Sequence, residues 1–262
     1  MRILVTNDDG VHSQGLRILA RRLKTLGEVY IVAPDRERNA ASHALTLHKP
    51  LRVEMLGNGI YGVNGTPTDC VNLGASTLLD RRPDLVVSGI NKGGNLGDDV
   101  TYSGTVSAAI EGTLLGIPSF AVSQLNDGEF HFDTAAEFAV RLARLIGKEG
   151  LPKDTLLNVN VPNLPISGIR GVKVTSLGKR IYDQSNIVTK TDPRGRAYYW
   201  IGLNETSWED RKDTDYLAIC EEKISVTPVH LDLTNYAVLE RLRGWEPLLS
   251  KKSRRRPKSK ET

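Results

Sequence analysis

The chain of 262 residues holds two cysteines, Cys70 and Cys220, too few and too far apart for a disulfide framework or a cysteine zinc site, and both are expected as buried reduced thiols. No charge-free apolar run reaches the roughly 20 residues that span a bilayer, and the N-terminus enters a strand without a signal-peptide layout. A cytoplasmic protein with no membrane partner is expected. The Gly-x-x-x-x-Gly-Lys-Ser/Thr loop is missing, and Gly93, Gly94 and Gly97 do not form a Gly-x-Gly-x-x-Gly fingerprint, which argues against ATP-dependent kinases and dehydrogenases. Asp8 and Asp9 are adjacent, not in the Asp-x-Asp spacing with which an aspartyl-phosphate phosphatase turns nucleophile and acid to one substrate. Excess charge is small. Much of the net +4 comes from Lys251, Lys252, Arg254, Arg255, Arg256, Lys258 and Lys260. With no aromatic residue interleaved, this run predicts a disordered, solubilising tail, and no specific nucleic-acid partner is expected.

With 39% hydrophobic and 25% charged residues, the composition is that of a soluble globular protein. The chain is organised around its first ten residues. Ile3 to Thr6 read as a short β-branched strand buried on both faces, closed by Asn7, Asp8, Asp9 and Gly10. In open α/β sheets the ligand crevice lies at the carboxyl ends of the strands, where this loop delivers two carboxylates suited to Mg²⁺ or Mn²⁺. Neighbours in an extended strand point to opposite faces, so both acids serve one site only if the chain turns, which Gly10 permits. The same residues also fit a polar turn that caps the next helix.

Leu16, Leu19, Ala20 and Leu23 recur at helical spacing, and Val29 to Ala33 form a second buried strand stopped by Pro34, completing a βαβ unit. Asp35 to His43 follow at the same edge as a donor-rich loop. Leu45 to Val53 alternate like an exposed strand, and Asp69 stands where a residue caps a helix. Leu85 to Ile90 form a further buried strand, followed by the glycine-rich loop from Asn91 to Asp99. Tyr102 to Ala109 then open a helix whose small hydroxyl residues and glycine gather backbone N–H groups and the positive dipole end at one spot. Ser103 either caps this helix or helps bind an anion, and the two roles use the same atoms. Ile117 to Ser123, a helix over Thr134 to Ile146, and Leu156 to Val161 as the last core strand follow.

Beyond Pro162 short strands are separated by polar segments: Val172 to Leu177, Tyr198 to Leu203 and Ile224 to Val226. A long hairpin between about Gly178 and Trp208 has too few apolar partners of its own and is expected to pack on a partner subunit. Asn235 to Trp245 read as a final helix. The expected division is a catalytic core over residues 1–165, C-terminal strands, arm and helix over 166–246, and a basic tail over 247–262.

Five motifs carry a resemblance: Thr6 to Gly10, Val32 to Arg36, Gly65 to Val71, Val87 to Val100 and Tyr102 to Ala109, with a weaker match at Ile224 to Pro228, Asp232 and Thr234. In this order they resemble the SurE (stationary-phase survival protein) family of metal-dependent nucleotidases, over most of the chain except the tail. The resemblance implies a Rossmann-like α/β core with a mostly parallel sheet and a C-terminal β-hairpin arm exchanged in a homodimer or homotetramer. It implies hydrolysis of nucleoside monophosphates to nucleoside and phosphate, a 5′-nucleotidase activity, with 3′-nucleotidase and exopolyphosphatase activities left open. One divalent metal ion per subunit, Mg or Mn, is implied on Asp8, Asp9, Asn39 and Asn91. Asn39 departs from the family, which most often has Ser there, but its amide oxygen is also a hard neutral ligand. The phosphate cradle falls on Ser103, Gly104 and Thr105, with Asn95 as a further contributor. Asp8 and Asp9 are the implied catalytic acids, either of them able to take a proton from water. The rival reading is a non-enzymatic nucleotide- or RNA-binding protein using the basic tail.

Overall fold

The computed structural model describes residues 1–38, 41–125, 128–181, 187–201 and 207–250. The basic tail, Asn39 and parts of the hairpin arm lie outside them. The chain divides into two units, Met1–Leu231 and Asp232–Thr262.

The first unit runs β1 (Arg2–Thr6), α1 (Gln14–Leu23), β2 (Glu28–Pro34), β3 (Val53–Gly57), β4 (Ile60–Val63), α2 (Pro67–Leu73), β5 (Leu85–Lys92), α3 (Gly104–Leu114), β6 (Ser119–Gln124), α4 (Phe132–Glu149) and β7 (Thr155–Val161). It continues with β8 (Val172–Val174), β9 (Arg180–Ile181), β10 (Ile187–Thr191), β11 (Ala197–Ile201), β12 (Ser207–Trp208), α5 (Asp215–Cys220) and β13 (Ile224–His230). Nine strands form one sheet in the order β3-β4-β2-β1-β5-β6-β7-β13-β8. The run from β4 through β7 is parallel, and the pairs β3·β4 and β7·β13 are antiparallel. This is the expected α/β fold with a mostly parallel sheet.

Leu16, Leu19 and Leu23 of α1 join Phe138, Ala139 and Leu142 of α4 against one face of the sheet, and Cys70 and Val71 of α2 pack with Ala108 of α3 against the other. Each fully buried leucine contributes about 2 kcal/mol through removal of its side chain from water. β1 has β2 on one side and β5 on the other, so the winding reverses between β1 and β5. The crevice at the carboxyl ends of these two strands is the topological switch point.

Three expectations are corrected. Leu156 to Val161 do not end the sheet: β13 pairs with β7 over six residues, and β8 pairs with β13. The alternation of residues 45–52 does not make a strand, because the Thr46 backbone N–H donates to Asp69 Oδ1 at 2.9 Å and not to a ladder, and the strand begins at Val53. Cys70 is buried, but Cys220 is exposed at the end of α5. Asp69 serves as expected at a helix start: its carboxylate accepts from Thr66 N–H at 2.8 Å in a capping box at α2.

The hairpin is present as two ladders of common register, β9·β12 and β10·β11. The second unit holds α6 (Tyr236–Arg243) and α7 (Glu246–Leu249), so the expected final helix is divided at Gly244 and Trp245. Among the described residues no helix is long and apolar enough to cross a membrane.

Candidate active site

The β1–α1 loop is fixed by its own polar groups. Asn7 Nδ2 donates to Ser13 Oγ at 2.7 Å and to Gly10 O at 3.2 Å, and Ser13 in turn caps α1. Gly10, at φ 95°, is the turn that the sequence placed between the carboxylates and the helix; a Cβ there would lie 3.0 Å from the Arg36 carbonyl carbon. The loop after β2 is tied to the same place, since Arg38 N–H donates to Asp8 O at 2.8 Å and Val11 N–H to Pro34 O at 2.8 Å.

Asp8 is 5% exposed and reaches across the switch point to α3. Its Oδ2 accepts from the Thr105 N–H at 3.2 Å, and its Oδ1 accepts from the Thr105 hydroxyl. Gly104 has to be glycine for this approach, because a Cβ would sit 3.0 Å from both Cβ and Oδ2 of Asp8. Burial raises the Asp8 carboxyl above its ordinary value, and the Thr105 bonds oppose that rise. Asp9 is pushed up to about 6, by burial first and by the charge of Asp8 second, with Lys92 opposing. Asp9 also takes a hydrogen bond from the Lys92 backbone, while its Oδ2 is buried without a partner among the described residues.

Asn91 reaches the site through an irregularity in β5. Leu85, Val87 and Ile90 lie in one core cluster and Val86 in the other, so the alternation slips by one residue where the β5·β6 register shifts between Gly89 and Asn91. This bulge pairs Asn91 with Ser123, on the side of the sheet that carries α3. Asn91 Nδ2 donates to Gly93 O at 2.8 Å, which leaves the carbonyl oxygen as the end of the amide available to a cation.

Asn95 is anchored in a buried amide network: its N–H donates to Asn160 Oδ1 at 2.8 Å, its Nδ2 to Ser123 Oγ at 2.7 Å, and its carbonyl accepts from Asn158 and Asn160. Ser103 is the N-cap of α3, its Oγ accepting from Val106 N–H at 3.1 Å. In the first turn of α3 the N–H of Gly104 has no acceptor among the described residues, whereas Thr105 gives both of its donors to Asp8. The structure thus brings Asp8, Gly104 and Thr105 into contact, sets Asp9 against the end of β5 that carries Asn91, and anchors Asn95 deeper, on β6 and β7. Asn39 lies outside the described residues.

A divalent cation fits this donor set. Two carboxylates whose charged forms are disfavoured stand together, one with a buried oxygen that lacks a donor, beside a neutral amide oxygen; all are hard oxygen ligands. Among the described residues no group of three or more His, Cys, Asp and Glu gathers at any point, so a cation here would rest on the two carboxylates and the neutral amide oxygen. Sequence reasoning missed the second layer: Thr105 as the holder of Asp8, Asn158 and Asn160 under Asn95, and Asp215 under Gly97. Only the polar character of Asn158 and Asn160 within a core strand signalled any of it.

Residues 3–184 match the family described as Survival protein SurE. Two similar curated proteins are described as 5′-nucleotidase SurE. That of Geobacter sulfurreducens is 60% identical over 247 residues, covering 94% of each chain. That of Geobacter metallireducens is 58% identical over 247 residues, covering 94% of this chain and 98% of the relative. The crystal structure of the SurE protein from Aquifex aeolicus superposes with a TM-score of 0.86 at 46% identity, over 94% of this chain and 100% of that one.

Proposed function

Because the chain belongs to the Survival protein SurE family, we infer that it is a 5′-nucleotidase, a metal-dependent phosphatase that releases phosphate from nucleoside monophosphates. The observation that carries the reading is the contact of Asp8 with the first turn of α3 across the switch point, which sets a buried carboxylate against a helix N-terminus. Asp8, Asp9 and Asn91 are assigned as ligands of one Mg²⁺ or Mn²⁺. Asn39 is assigned as a fourth on the family resemblance, supported by the hydrogen bond of its chain neighbour Arg38 to Asp8 O.

When bound, such an ion polarises a phosphoryl oxygen and favours the ionised form of water. The protein's own residues do the rest. The Gly104 N–H and the positive end of α3 hold the phosphate and stabilise the charge that grows on its oxygens as the phosphorus is attacked. Ser103 caps that turn so that its N–H groups stay aligned. Thr105 keeps Asp8 in one orientation, and among the described residues Asp9 Oδ2 has no donor. A carboxylate oxygen of Asp8 or Asp9 that is not committed to the metal takes a proton from water as the new P–O bond forms, and that proton is available to the nucleoside oxygen released when the ester bond breaks.

The protein is assigned to the cytoplasm, where its unpaired cysteines stay reduced, and to a homodimer or homotetramer joined through the hairpin arm. The arm supports this through Ile187, Tyr199, Trp200 and Ile201 on β10 and β11, which are exposed in the single chain. The test is a phosphate-release screen over 5′- and 3′-nucleoside monophosphates and polyphosphate, with chelator and with Mg²⁺ or Mn²⁺ restored. Metal-dependent release from 5′-monophosphates is expected, and folded Asp8→Asn and Asp9→Asn proteins should lose it. Undiminished release by either variant would contradict the assignment of these acids.

A further inference from the structure

The loop between β5 and α3 is gripped from a part of the chain far from it in sequence. Asp215, the first residue of α5, is fully buried. Its Oδ2 accepts from Gly97 N–H at 2.8 Å, and its Oδ1 from the N–H groups of Gly178 and Tyr216, each at 2.8 Å. At φ 53°, Gly97 lies so near the base of the hairpin that a Cβ would be 2.6 Å from Gly178 O and 2.8 Å from the Trp208 ring.

The next turn is held by charge. Lys179 Nζ lies 3.0 Å from Asp98 Oδ1. The Arg180 guanidinium bonds Asp99 Oδ2, with Nε at 3.1 Å, and lies 4.6 Å over the Trp208 ring, which stacks on Tyr216 at 4.5 Å. Asp99 is the link to the site, because its carbonyl accepts from the N–H of Ser103 at 3.1 Å. The hairpin base therefore determines where the cap of α3 stands.

An ionised carboxylate is costly to bury, and three backbone donors compensate for it only if all three are held at one point. Simple packing of α5 needs no such group. We propose that Asp215 and Arg180 are positioning residues for phosphate: they fix the segment from Gly97 to Ser103, and through it the affinity of the α3 N-terminus for the phosphoryl group. The proposal rests on the reading of that N-terminus as the phosphate site.

Asp215→Asn keeps the volume but turns an amide N–H toward Gly97 or Gly178, and Arg180→Met keeps contact with Trp208 while releasing Asp99. Both are compared with wild type and Ser103→Ala as full-length, metal-loaded proteins, with inorganic phosphate as the probe. Asp215→Asn should raise KM and the phosphate inhibition constant by about tenfold, and Arg180→Met by about threefold, with kcat within about threefold. The metal concentration for half-maximal rate should move less than the phosphate inhibition constant, because Thr105 keeps its own two bonds to Asp8. If Asp215→Asn fails to fold, Arg180→Met decides. Folded variants with wild-type phosphate inhibition overturn the proposal, as does a loss confined to kcat. If Ser103→Ala weakens phosphate inhibition while the other two do not, the positioning role alone falls; if Ser103→Ala also has no effect, the phosphate site itself lies elsewhere.

Discussion

Thr105 directs both of its donors to Asp8, the backbone N–H at 3.2 Å and the hydroxyl at the other carboxylate oxygen. The first turn of α3 thereby orients an acid on the loop after β1, and the residue that looks like part of a phosphate cradle also sets the geometry of the proposed metal site.

Thr105→Val keeps the shape and the backbone donor but leaves Asp8 Oδ1 without its hydroxyl partner. Groups that orient metal ligands in this way are typically worth about 10–100-fold in metal affinity or activity. The metal concentration for half-maximal phosphate release should rise within that range, and Thr105→Ser should restore it; calorimetric titration of the metal checks the same quantity without turnover.

Asp9→Asn should stabilise the metal-free protein at neutral pH. Asp9 rises from 3.8 to about 6 on folding, so between those values the folded chain holds more protons than the unfolded one. Stability therefore falls as pH increases through that window and is level above it, to a total of about 3 kcal/mol at most. Thermal unfolding in chelator should show Asp9→Asn above wild type at pH 7 and level with it near pH 4. Added Mg²⁺ or Mn²⁺ should favour wild type.

Glu111, buried in α3, is held by His43 Nε2 at 2.8 Å and Asn72 Nδ2 at 2.8 Å. The His43 bond, followed by that of Asn72, keeps its carboxyl below the ordinary 4.5 against the opposing effect of burial. That contribution is complete above the unfolded value and is lost as pH falls through the folded one. Glu111→Gln should be less stable than wild type by about 1–2 kcal/mol at pH 7, converging with it in more acidic buffer, as read from urea midpoints.

Ile201 is 81% exposed at the end of β11, beside the exposed Trp200. An isolated two-stranded ribbon is marginal in water, so a covering partner is expected. Ile201→Asp should shift the sedimenting species to smaller mass, and an unchanged assembly would remove the arm as its contact.

Metal titration also tests Asn39. Asn39→Ser should retain activity with an altered metal preference, and Asn39→Leu, which lacks a ligand oxygen, should need more metal. Equal behaviour of Asn39→Leu and wild type would strike this residue from the ligand set.

The sequence by itself determined the parallel core and the position of the acids. A short β-branched run closed by Asn, Asp and Gly admits few structures, and the amphipathic spacing of Leu16, Leu19 and Leu23 returns the chain to start a second strand. These are local signals, and they sufficed to put Asp8 and Asp9 at a carboxyl edge. Tertiary structure decided what those acids touch. Thr105 meets Asp8 across 97 residues of chain, Asp215 meets Gly97 across 118, and the bulge that turns Asn91 toward α3 is defined by its neighbour β6. Residues 45–52 show the same limit in reverse, since their alternation suits a strand and Asp69 takes the hydrogen bond at Thr46. Periodicity records which side of an element is buried, whereas a hydrogen bond or a register shift depends on which element lies opposite, and only the folded chain supplies that partner.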